Sequence, residues 1–233
     1  MLIEKHSSIR LRDLSQPQHA SPKQAELAQG MVRVNHLYRS ALKMAVAQLE
    51  ILDEEFATMY DHSPIHHIEY RIKTLESISE KLQRRGFDVT IDNIFAHIQD
   101  VAGVRVICNY LDDIYYVRRL LTRTESFGIQ READYIKNPK ETGYRSLHLV
   151  VSIPVYLAAE RRDVKVEIQI RTIAMDLWAS LEHELRYKNK SGSEVPQELS
   201  TRLYLCAQVL KGVDDEMQAI WSEIQKLNEN EEN

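Results

Sequence analysis

The stretch that most restricts this chain is VKVEIQIRT (164–172), in which apolar and polar residues alternate without a break. A period of two puts Val164, Val166, Ile168 and Ile170 on one face of a β-strand and Lys165, Glu167, Gln169 and Arg171 on the other. Such a strand cannot stand alone: its apolar face needs a core and its backbone needs neighbours. The surrounding sequence supplies them. VAGVRVICNY (101–110) and the segment 146–157 are short, β-branched and apolar, and 129–135 is a weaker strand. The charged loop 158–163 between the last two strands predicts a hairpin.

Helical periodicity fills the rest. Leu37, Ala41, Met44, Leu49, Leu52 and Phe56 recur near helical spacing within 22–59, and Asp61-His62-Ser63-Pro64 stops the run. Further helices are expected over 66–85, ending at Gly86, and over 91–99, 112–123, 174–188 and 197–227. Residues 1–21 read as a loosely held tail, and SGSEVP (191–196) as a linker. The prediction is an α+β fold with one core wrapped by terminal helices. It divides into an N-terminal tail and helix (1–60), a central domain (61–190) and a C-terminal helix (191–233).

Composition excludes some functions. No run approaches the roughly 18 apolar residues of a membrane span, and the N-terminus lacks the apolar core of a signal peptide. Cys108 and Cys206 have no metal or redox spacing and read as thiols of a reducing cytoplasm. A net charge of −5 speaks against a dedicated nucleic-acid binder. There is no P-loop and no GxGxxG; seven glycines stand singly. If the chain handles phosphates, side chains must hold them.

Candidates for that task lie in EYRIKTLESISEKLQRRG (69–86). At helical spacing Lys73, Ser77, Lys81 and Arg84 fall within roughly 80° of arc, opposite Leu75, Ile78 and Leu82. This face is either a polyphosphate cradle or a solvated surface paired with Glu76 and Glu80. Asp100, just before one strand, and Glu167, on the polar side of another, can converge on Mg²⁺; Asp100 also fits a plain helix-ending surface residue. The polar side of 164–172 faces either solvent or a cleft, and Arg105, in the middle of an apolar strand, favours the cleft because it needs an anion or a stacking partner.

The turn KNPKETGYRSLHLVV (137–151) presents Tyr144 as a flat ring for a nucleobase, Lys140 and Arg145 as cations, and His148 at the strand start. The plainer alternative is a polar turn with a tyrosine packed over the sheet edge. Asp176 is either a first-turn carboxylate or an acceptor for guanine N–H groups. His62, His66 and His67 have metal-like spacing without a completing ligand, so capping and surface roles are expected. Trp178 and Trp221 are assigned to helix interfaces, and His183 to a helix face.

These segments together resemble the synthetase domain of the RelA/SpoT homologue family, in particular its stand-alone small alarmone synthetases of the RelP branch. The matching stretches are HSPIHHIEYRIK, DVAGVRVICNYLDD, DYIKNPKETGYRSLHLVV and VEIQIRTIAMDLWASLEHELRYK. The resemblance implies a nucleotidyltransferase-like mixed sheet flanked by helices. It implies an enzyme that transfers the β,γ-pyrophosphate of ATP to the 3′-hydroxyl of GDP or GTP, giving (p)ppGpp. It assigns Arg71 and Arg105 to adenine, and Lys73, Ser77, Lys81 and Arg84 to the ATP phosphates. Asp100 and Glu167 would bind Mg²⁺, with Glu167 also activating the attacking hydroxyl. Tyr144 would stack on guanine, with Arg131, Lys140, Arg145, His148, Gln169 and Asp176 around the acceptor. The family often carries a basic residue where Ala133 stands, which implies an altered acceptor preference or metal demand. A homotetramer without hydrolase activity is expected, with no membrane partner and RNA not the main ligand. An RNA-binding module and a nucleotidyltransferase are the alternatives.

Overall fold

The computed structural model describes residues 2–4, 22–125, 127–188 and 196–231. The strands are β1 (Leu2–Glu4), β2 (Ile65–Ile72), β3 (Ala102–Cys108), β4 (Gly128–Asp134), β5 (Leu147–Tyr156) and β6 (Arg161–Thr172). The helices are α1 (Pro22–Met59), α2 (Leu75–Arg84), α3 (Ile91–His97), α4 (Leu111–Arg123), α5 (Ile173–Lys188) and α6 (Gln197–Glu231). The strands form one mixed sheet in the order β1-β2-β3-β6-β5-β4, parallel at β1–β2 and β3–β6 and antiparallel elsewhere. The α+β prediction holds.

The alternation of β6 decides which face is buried. Val164, Val166, Ile168 and Ile170 join Leu147, Leu149, Val151 and Ile153 of β5 and Val104 and Val106 of β3 in the main core. Helix α1 covers that face with Val34, Leu37, Tyr38, Ala41, Leu42, Ala45 and Leu49, and Ile78 of α2, Ile94 of α3 and Val117 of α4 complete it. The opposite face is therefore left for polar side chains, with α5 and α6 at its margin. No described helix is long and apolar enough to cross a membrane.

Four differences from the sequence reading have physical causes. The helix expected over 66–85 is β2 followed by the shorter α2. At a register shift between Ile65 and His67 the apolar residues Ile65 and Ile68 stand three positions apart, which imitates helical spacing before the strand alternates normally. Helix α2 starts where Thr74 caps it by accepting a bond from Ser77 N at 3.2 Å, and Gly86, with φ of 78°, follows its end. The hairpin loop is tighter than 158–163: Arg161, Arg162 and Asp163 pair with Tyr156, Val155 and Pro154, and Leu157 N donates to Glu160 O. Within the expected tail, Leu2–Glu4 adds a strand alongside β2; residues 5–21, and 191–195 of the expected linker, lie outside the described residues. Finally, α6 runs on to Glu231.

Candidate active site

The sheet register assembles the site. Arg71, Gly103, Glu167, Val150 and Arg131 form one row across β2, β3, β6, β5 and β4. Glu69, Arg105, Gln169, His148 and Ala133 form the next. Laterally paired residues point the same way, so both rows rise from the face opposite the core. Glu69, Arg71, Asp100, Arg105, Glu167 and Gln169 line one open cleft. Its floor is bare at Gly103, where a Cβ would meet nothing within 4 Å.

One wall is basic. Lys73 and Lys81 reach Asp100 from two sides, at 2.6 and 2.8 Å. Lys73 is not on the helix: it sits in the turn after β2, held by its backbone N–H to Val101 O at 2.8 Å, while Ser77, Lys81 and Arg84 are on α2. Burial pushes the Asp100 carboxyl up, but the hydrogen bonds and charges of Lys73 and Lys81 outweigh it and hold it at about 2. Burial also lowers Lys73, more than Asp100 raises it. Both values fall, which favours the charge on Asp100 and disfavours it on Lys73, because Asp100 meets two ammonium groups whereas Lys73 meets one carboxylate beside other cations. Arg71 and Arg84 are exposed.

The other wall is a directed hydrogen-bond network. Arg171 donates to the Tyr144 hydroxyl at 2.6 Å and to Gln169 Oε1 at 2.7 Å. Tyr144 Oη and His148 Nε2 lie 2.7 Å apart, and the hydroxyl is the donor in the neutral tautomer whose proton sits on Nδ1. His148 Nδ1 then carries the proton and faces Glu167 Oε1 at 3.4 Å, and Gln169 Nε2 donates to Glu167 Oε2 at 2.8 Å. Two branches therefore run from the Arg171 guanidinium to the Glu167 carboxylate, every donor pointing the same way. Burial raises Glu167 and Asp100 adds to it, but His148 and Gln169 prevail and bring the carboxyl below its ordinary value.

Sequence reading named the termini of this network and missed its source. Arg171, its side chain 4% exposed, also donates to Asp176 at 3.2 Å. Its position on the polar side of β6 was visible in the alternation, and the reasoning applied to Arg105 applies to it equally. Glu69, hidden in the misread helix, accepts from Arg105 at 3.1 Å, and Asp176 takes the same guanidinium at 2.9 Å. Asp176 is thus engaged by two arginines. Tyr135 was also missed: Lys140 lies 4.7 Å from both the Tyr135 and Tyr144 ring centres.

Arg145 does not belong with the cleft. It is buried in an ion pair with Asp214 of α6 at 3.2 Å, and is absent from the cleft lining. Tyr144 and Arg145 lie in the turn before β5, where their side chains part, one to the site and the other to the helix. Arg131 is exposed on edge strand β4. His62 pairs with Asp113 at 2.9 Å, while His66 and His67 contact each other. Trp178 Nε1 donates to Leu203 O between α5 and α6, and Trp221 stacks on Tyr110. His183 is exposed on α5.

As a metal site the cleft offers two hard oxygen donors, Asp100 and Glu167, close enough for the charge of one to act on the other. That is the donor chemistry of Mg²⁺, which uses one or two carboxylates and takes its remaining ligands from phosphates and water. Among the described residues no group of three His, Cys, Asp or Glu gathers to hold a metal alone.

Comparison with known proteins gives concordant results. The family model described as a region found in RelA / SpoT proteins matches residues 70–192. The chain is 42% identical over 188 residues to GTP pyrophosphokinase YwaC of Bacillus subtilis, covering 81% of this chain and 89% of that one. It is 38% identical to GTP pyrophosphokinase YjbM of the same organism, covering 79% and 87%. The crystal structure of small alarmone synthetase 1 from Bacillus subtilis, bound to its product pppGpp, superposes with a TM-score of 0.75 at 37% identity, covering 81% of this chain and 94% of that one.

Proposed function

The chain belongs to the RelA/SpoT family, and from that membership we propose that it is a GTP pyrophosphokinase of the small alarmone synthetase type. It transfers the β,γ-pyrophosphate of ATP to the 3′-hydroxyl of GDP or GTP and makes (p)ppGpp. The observation that carries this reading is the pairing of two carboxylates, Asp100 and Glu167, in one cleft between a lysine wall and an aromatic turn.

The reaction demands in-line positioning and charge neutralisation rather than covalent help. Arg71 and Arg105 hold the adenine end over the bare Gly103 floor, and Arg105 is kept flat by Glu69 and Asp176. Lys73 and Lys81, with Ser77 and Arg84 along α2, take the ATP phosphates and offset the charge that grows on the departing AMP. Asp100 and Glu167 are the residues that would hold Mg²⁺, which when bound supplies charge neutralisation and orientation of the phosphates. Glu167 accepts the hydrogen bond of the acceptor 3′-hydroxyl. Its lowered pKa keeps it ionised and makes it a modest base, so it aims the nucleophile first and takes the proton as the new bond forms. Tyr144 provides the stacking face for guanine once exposed Lys140 swings off its ring. His148 and Gln169 hold the Glu167 carboxylate from the acceptor side.

The synthetase unit is assigned to 61–190 and an oligomerisation helix to 191–233, with a homotetramer as the assembled form. The free thiols Cys108 and Cys206 support a cytoplasmic location. Incubation of the pure protein with ATP, Mg²⁺ and GDP or GTP tests the function. AMP together with a 3′-pyrophosphorylated guanosine nucleotide is expected, whereas release of free pyrophosphate would mean nucleotidyl transfer instead.

A further inference from the structure

Helix α6 touches the acceptor side of the site at two separate points, with Ala207 against the turn and Asp214 against Arg145. Gly143, directly before Tyr144, has φ of 88°, and a Cβ there would lie 2.6 Å from Ala207 Cβ. Helix and turn are therefore in contact with no room for a side chain between them. Two residues along, Arg145 is paired with Asp214, the two side chains 8% and 7% exposed. Arg145 Nε has no hydrogen-bond partner, so this carboxylate is the principal compensation for a buried guanidinium. Asp214 also accepts from the Thr172 hydroxyl. Thr172 ends β6 and its oxygen takes the Met175 N–H at 3.1 Å, so it sets the start of α5, where Asp176 holds Arg105 and Arg171. A buried ion pair adds little stability over apolar packing of the same volume; what it adds is a fixed geometry.

We propose that Asp214 is a positioning residue for the acceptor nucleotide: through Arg145 and Thr172 it fixes where Tyr144 and Asp176 stand, which makes the C-terminal helix part of the acceptor subsite. This rests on the pyrophosphate-transfer reading above. Neither Asp214 nor Ala207 touches the phosphate wall built from Lys73, Lys81 and Asp100; the one link to the ATP side is Asp176, which also holds Arg105, so the effect falls mainly on the acceptor.

The test is steady-state kinetics of the full chain, varying GDP at saturating ATP and then ATP at saturating GDP. Asp214→Asn keeps the shape and removes the charge, and a displaced turn should raise the KM for GDP roughly 10- to 100-fold. The KM for ATP should rise much less, because the phosphate wall is untouched and only the Asp176–Arg105 contact reaches the ATP side. Asp214→Glu, which restores the charge, should recover part of the loss. Ala207→Val, which presses on the turn without altering the ion pair, should shift the GDP KM in the same sense and decides the matter if Asp214→Asn is not soluble. An unchanged GDP KM in folded Asp214→Asn, or equal rises for both substrates, overturns the proposal. A wild-type protein that transfers no pyrophosphate overturns the functional reading itself; that result is separable, because it appears before any variant is made.

Discussion

Glu167 shows how a single residue can be both legible and incomplete in sequence. Its place on the polar side of an alternating strand follows from periodicity, whereas its convergence with Asp100, which precedes β3, was one of two open readings. Its electrostatic surroundings were not legible, because Arg171, His148 and Gln169 reach it through contacts that only the register of β5 on β6 creates. Replacing Glu167 with Gln keeps the shape and removes the charge. Turnover should fall at least 100-fold, the scale of losing a general base, while ATP binding measured by calorimetry stays within a few-fold. Turnover retained by that variant would remove Glu167 from the mechanism. Asp100 offers a test of the phosphate wall. Its carboxyl falls from 3.8 to about 2 on folding, so its contribution is full above the unfolded value and is lost as pH drops through the folded one. Denaturant titrations should show about 2 kcal/mol of stability lost between roughly pH 4 and pH 2 that Asp100→Asn does not lose. Equal slopes for both proteins would mean the lysines do not grip the carboxylate in solution.

At the level of elements, β5, β6, α1 and α3 to α6 could be read from periodicity and capping, whereas β2 could not. Its bulge breaks the period of two at the point where a helix is signalled, and the polar residues Glu69 and Arg71 were carried into that helix with it. The basic wall survived the error because Lys73 reaches Asp100 from the turn as readily as from a helix. Arg145 was misassigned for a related reason: a turn residue has no periodicity to say which way it faces. The junction of β2 and α2 rests on Thr74, whose hydroxyl accepts from Ser77 N and donates to the Ser77 hydroxyl at 3.0 Å. Thr74→Ala should cost about 1 kcal/mol through the lost cap, lowering Tm by about 2–4 °C for a chain of this size. It should also raise the KM for ATP several-fold with the GDP KM unchanged, since α2 presents Ser77, Lys81 and Arg84. A fall in Tm with no change in the ATP KM would separate the cap from phosphate binding.

The whole molecule carries an apolar surface that its own core does not use. Leu177, Leu181 and Leu185 on α5 and Leu205, Val209, Val213, Met217 and Ile220 on α6 are all exposed. At three- to four-residue spacing they make an apolar stripe along each helix, a feature that supports the proposed homotetramer. Sedimentation equilibrium should give four chain masses, and Val209→Asp should reduce that number while leaving the circular dichroism spectrum intact; a wild-type protein at one chain mass would end the proposal. The electrostatics of the assembly have one more outcome. With a net charge of −5 overall, the protein must still admit highly anionic nucleotides, and it does so with Lys73 and Lys81 already half offset from within by Asp100. An incoming triphosphate therefore swaps places with an internal stand-in. The exchange releases an acidic side chain at the moment the substrate arrives. Affinity for ATP should then vary with ionic strength less steeply than the number of surrounding cations suggests.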